Sequence, residues 1–151
     1  MDTTWVLLAD EGRARILAMR KPGTDLDEVE ELIDPAAHAN NADFRRDAYP
    51  RRGGGGEMRM GSDAIGSGGE DKLDQEAELF ARRIASRLAQ AHSAGDFARL
   101  RIAAAPRFLG RLRKALDPQI AKTVVDELDK DLLQLSRREL TRKLFTGEPQ
   151  A

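Results

Sequence analysis

Leu100-Arg101-Ile102-Ala103-Ala104-Ala105-Pro106-Arg107-Phe108-Leu109-Gly110-Arg111-Leu112-Arg113-Lys114-Ala115-Leu116 is the stretch that decides the fold. Leu100 to Ala105 is a short apolar run of mostly small side chains, which reads as a buried strand. Pro106 is suited to the first turn of a helix, where its missing N–H costs nothing. Phe108, Leu109, Leu112 and Leu116 then fall on one helical face, and Asp117-Pro118 stops the helix. Just upstream, Asp71 to His92 is the best helix in the chain. Leu73, Ala77, Phe80, Ile84, Leu88 and Ala91 step by four and three along one face, and Ala94-Gly95-Asp96 closes it. Helix, strand, helix in succession indicates an α/β domain whose helices cover a sheet.

Working outward, Trp5-Val6-Leu7-Leu8-Ala9 and Ala14-Arg15-Ile16-Leu17-Ala18-Met19 flank the turn signal Asp10-Glu11-Gly12-Arg13. The pair reads as a β-hairpin. Both faces of each strand are largely apolar, which predicts a central position covered on both sides. Leu26, Val29, Leu32 and Ile33 have helical spacing, yet the segment is short and Pro35 follows. Periodicity leaves helix and strand open there, and again over Ile120 to Leu135. Ser136-Arg137-Arg138-Glu139 is a capping box that should open a terminal helix through Phe145. Trp5 is expected in the core.

Asp34 to Glu70 shows no sustained periodicity, and eight glycines lie between Gly53 and Gly69. Fixing so much glycine costs backbone entropy, so residues 34–70 are expected to form a long, flexible glycine-rich loop. The organisation expected is one domain over residues 1–146 with this loop projecting from it, and a frayed tail at 147–151.

The 151 residues suit one domain. The 25 basic and 26 acidic side chains nearly cancel, so any nucleic-acid role must come from local clustering. There is no cysteine, which removes disulfides, cysteine-ligated metals and thiol nucleophiles. His38 and His92 are far apart and not in metal-ligand spacing, so no metal is expected. No P-loop, dinucleotide fingerprint or serine elbow is present, and no cofactor is expected. The start of the chain has no basic, apolar signal-peptide pattern, and no apolar run reaches the roughly 18 residues of a membrane span. The expected location is the cytoplasm, without membrane insertion.

Several of these segments resemble a known family. Trp5 to Asp10 followed by Ala14-Arg15-Ile16-Leu17, Phe80-Ala81-Arg82-Arg83-Ile84, the Leu100–Leu116 stretch with Ala104-Ala105-Pro106 and Leu109-Gly110-Arg111-Leu112-Arg113, and Glu127-Leu128-Asp129-Lys130-Asp131-Leu132 are similar, in order and spacing, to the bacterial host attachment protein family. The resemblance covers nearly the whole chain. That family is in turn similar to the middle domain of archaeal and eukaryotic peptide release factors. The resemblance implies an RNase H-like mixed sheet of about five strands, with an N-terminal antiparallel meander and flanking helices. It also implies that Leu26–Ile33 and the stretch around Val124 are strands. In the release factors a Gly-Gly-Gln tip precedes the long helix. Gly68-Gly69-Glu70 holds the comparable place here, and its glutamate lacks the amide donor and adds a negative charge, which argues against peptidyl-tRNA hydrolysis.

The candidate functional residues follow. Arg45, Arg46, Arg51, Arg52 and Arg59, with Gly68 and Gly69, form an arginine–glycine arm suited to RNA phosphates, and Tyr49 and Phe44 are placed to stack on bases. Arg107, Arg111, Arg113 and Lys114 form a denser basic cluster on the helix after Pro106. Against these stands a simple solvated surface, its charges cancelled by nearby acids. The function expected is a non-enzymatic module that associates with RNA or the ribosome. The alternatives are a hydrolase of peptidyl-tRNA or another nucleic-acid ester with Glu70 as general base, and an adaptor for a protein partner that acts on host attachment indirectly.

Overall fold

The computed structural model describes residues 3–34 and 55–145, with the side chains of the long helix described from Lys72 onward. Five strands, β1 (Thr4–Ala9), β2 (Arg13–Met19), β3 (Asp27–Ile33), β4 (Arg99–Ala104) and β5 (Val124–Leu128), form one sheet in the order β3-β2-β1-β4-β5. β1, β2 and β3 make an antiparallel meander, whereas β4 joins β1 and β5 joins β4 in parallel. The helices are α1 (Gly55–Ser93), α2 (Pro106–Ala115), the single turn α3 (Pro118–Ala121) and α4 (Arg137–Phe145). The expected mixed α/β sheet is therefore present, and both ambiguous segments contain a strand.

Side-chain alternation divides the core between the two faces of the sheet. Trp5, Leu7, Ile16, Leu100 and Ile102 point to the face covered by α1 and α2, where they meet Phe80, Ile84, Leu88, Phe108 and Leu112. Val6, Leu8, Leu17 and Ala103 point to the other face, covered by Leu132, Leu133, Leu140, Leu144 and Phe145. Every residue of β1 is buried, as the doubly apolar run requires. The β1–β2 turn is held by Asp10, whose Oδ1 accepts from the N–H groups of Gly12 and Arg13, both at 2.9 Å.

The C-terminus of α1 closes in a Schellman motif. The Asp96 N–H donates to Ala91 O (2.9 Å) and the Gly95 N–H to His92 O (3.0 Å). Gly95 has φ +81°, a conformation that favours glycine. Phe97, just beyond, stacks on Trp5 with ring centroids 5.0 Å apart and so fixes α1 against β1.

Three expectations are corrected. The glycine-rich loop does not run to residue 70, because the backbone is helical from Gly55. Residues 35–54 of that expectation lie outside the described residues. Glycine disfavours a helix by about 1 kcal/mol relative to alanine but does not forbid one, and extending an established helix adds one hydrogen bond per residue. From Gly55 the second effect outweighs the first. Leu73, placed on the buried stripe by its spacing, is 47% exposed, since the contact of α1 with the sheet begins at Ala77. The second ambiguous stretch, read as one element, is divided instead into α3, β5 and a turn segment.

A basic groove between two helices

α1 and α2 lie side by side on one face of the sheet, locked by Phe80 and Phe108, whose rings are 5.9 Å apart. Along α1, Asp74, Glu78 and Arg82 are spaced by four residues and share one face. Along α2, Arg107, Gly110, Arg111 and Lys114 share the face turned away from the buried Phe108, Leu109 and Leu112. The two faces border a groove of about 410 Å³ lined by Glu78, Arg82, Arg107, Gly110, Arg111 and Lys114.

Arg111 is the centre of this groove. Its side chain is 17% exposed, and its guanidinium bonds Asp74 Oδ1 (2.8 Å) while lying 3.6 Å from Glu78 Oε1. Arg82, Arg107 and Lys114 are exposed and make no ion pair among the described residues. Among the described residues the groove therefore carries a positive excess: the cations of Arg82, Arg107, Arg111 and Lys114 against the carboxylates of Glu78 and Asp74. The planar fork of arginine suits such an arrangement chemically to anions of phosphate type.

The sequence-predicted residues fare unequally. Arg107 and Arg111 meet in the groove. Arg113 does not join them, because its guanidinium reaches across to Glu127 of β5 at 2.7 Å. Arg45, Arg46, Arg51 and Arg52 lie outside the described residues, as does His38. Arg59, Gly68, Gly69 and Glu70 belong to α1, and only its backbone is described there. Sequence reasoning missed Glu78, Arg82 and Gly110 as site residues. The available signal was their helical spacing beside the apolar stripe, but it needed the knowledge that α1 and α2 are neighbours.

The other basic side chains serve the fold. Arg15, nearly buried, donates from Nη1 to Leu133 O (2.8 Å) and Leu135 O (2.7 Å) and also pairs with Glu28. Arg87 pairs with Glu30 at 2.7 Å, and Arg83 donates to Ile33 O at 2.8 Å. A smaller cleft, about 150 Å³, lies beside Asp34, Leu79 and Arg83. The exposed Leu73 and Leu79 lie about 120° apart around α1 and do not make one apolar patch. Among the described residues no group of three or more His, Asp or Glu side chains forms a metal-binding cluster. No helix of the described residues is long and apolar enough to cross a membrane.

This fold and groove define a class: a mixed-sheet α/β domain whose two longest helices lie side by side on one face of the sheet and border a basic groove. The chain is similar in structure to an archaeal translation termination factor, aRF1, with a TM-score of 0.55, 13% sequence identity and 97% of this chain covered. It spans 35% of that factor's length, and the likeness is one of fold. No curated protein matches the chain. Over residues 5–144 it matches the family described as "Protein required for attachment to host cells", and it belongs to that family.

Proposed function

We propose that this protein is a non-enzymatic module that associates with RNA, with the ribosome as its principal RNA-rich partner. The observation that carries the reading is the groove, where, among the described residues, Arg82, Arg107, Arg111 and Lys114 converge beside the carboxylates of Glu78 and Asp74. A near-neutral chain needs such local clustering to hold a polyanion. The likeness in fold to a translation termination factor supports the choice of partner. Arg45, Arg46, Arg51 and Arg52, together with Arg59 of α1, are proposed to add further phosphate contacts. Acting from the cytoplasm, the protein would influence attachment to host cells indirectly.

Sedimentation with ribosomes through a salt series tests this. The expected result is co-sedimentation at about 50 mM salt and release by a few hundred millimolar, because phosphate contacts are lost as counterions return. Replacing Arg51 and Arg52 by alanine, or Arg107 and Lys114, should shift release to lower salt. A protein that stays in the soluble fraction at low salt overturns the reading.

A further inference from the structure

We infer that the α1–α2 groove grips the sugar–phosphate backbone of RNA without regard to base, over a floor kept open by Gly110, with Glu78 as an internal competitor for Arg111. The inference rests on the RNA reading above and specifies how this surface would work.

Four features of the groove carry it. First, among the described residues its lining holds arginine and lysine but no aromatic side chain. Base-reading surfaces for single strands stack bases on aromatic rings, so this groove suits phosphate rather than base. Second, Gly110 lies in the middle of α2, where glycine costs about 1 kcal/mol relative to alanine. A Cβ built there meets nothing within 4 Å, so packing does not exclude a side chain. Its lack of one lets a ligand approach the helix backbone between Arg107 and Arg111.

Third, the two carboxylates on Arg111 are not equivalent. Asp74 makes a direct bond at 2.8 Å, whereas Glu78 stands 3.6 Å away, lines the groove itself and is 55% exposed. Asp74 therefore orients the guanidinium, and Glu78 is the weaker contact that a phosphate oxygen displaces. Fourth, Arg82 and Lys114 flank this centre from opposite helices and make no ion pair among the described residues. Together they form a clamp across the groove.

The test is titration of fluorescent twelve-nucleotide oligo(U) and oligo(A) with the full chain at several salt concentrations, using wild type, Arg82→Ala/Lys114→Ala and Glu78→Gln. All three substituted side chains are exposed, and a thermal melt checks that each variant is folded. The two oligonucleotides are expected to bind within about threefold of each other, because contact is to phosphate. The double variant should bind about tenfold more weakly at low salt and flatten the log–log salt slope by about 1. Glu78→Gln should bind about threefold more tightly or better, because it removes a like charge from the groove. A preference above roughly tenfold for one base, a double variant with wild-type affinity and slope, or no gain from Glu78→Gln overturns the inference while leaving RNA association standing. Failure of the wild type to bind either oligonucleotide at low salt overturns the RNA reading itself.

Discussion

Single residues decide where this chain spends its charge. Arg15 is a basic side chain in an otherwise apolar strand, and it is kept because it satisfies the carbonyls of Leu133 and Leu135 where the chain turns into α4. Arg15→Met should cost about 2–4 kcal/mol in urea denaturation, because those acceptors are left without their charged donor. Arg111 is held by acids on α1 yet still faces the groove, so its charge orders two helices and remains open to an anion. Gly110 shows the opposite trade. Gly110→Ala should raise stability by about 0.5–1 kcal/mol, since the site has room for a methyl group and the helix gains. A loss of stability would show that the glycine is required for the fold and not for access.

At the scale of elements, the capping box at the start of α4 is the clearest example of local sequence dictating local structure. The Glu139 N–H donates to Ser136 Oγ at 3.1 Å, and the Ser136 N–H donates to Glu139 Oε1 at 2.9 Å. The Ser136 backbone N–H, its hydroxyl and Arg142 together hold the Glu139 carboxyl below its usual pKa. A lowered folded-state pKa stabilises the fold above the ordinary glutamate range, and that contribution is lost as pH falls through the lowered value. The stability difference between wild type and Glu139→Gln should thus be constant near neutrality and shrink on acidification, as read from urea denaturation at a series of pH values. Ser136→Ala should cost about 1 kcal/mol. β1, β2, β4 and α2 were equally legible, because their apolar runs and bounding turns are unambiguous. β3 was not. It is an edge strand whose Asp27, Glu28, Glu30 and Glu31 are matched by Arg20, Arg15, Arg87 and Arg13 from neighbouring elements, so its spacing reports ion pairs more than burial. The start of α1 was misread because glycine content says little about whether a long helix can propagate.

Across the whole molecule, charge is sorted in a way the near-neutral total conceals. The acids of β3 meet arginines pair by pair at one edge of the sheet, while the outer rims of α1 and α2 collect a cationic excess. Half of the groove was visible in the basic run after Pro106. The other half, Glu78 and Arg82, became part of a site only when α1 and α2 packed side by side on the sheet. Arg113, in the same run, faces away from Arg111 because two residues of helix turn a side chain by roughly 200°, and it pairs with Glu127 instead. Clusters read along the chain are thus divided by helix geometry and recombined by tertiary packing.

The most direct test of the central claim is ultraviolet cross-linking of the full chain to RNA, followed by mass spectrometry of the cross-linked peptides. The account expects cross-links within Lys72–Arg87 and Pro106–Leu116, weakened together by Arg107→Ala/Lys114→Ala. Cross-links confined to α4 or to the β3 edge, and unchanged in that variant, would contradict it.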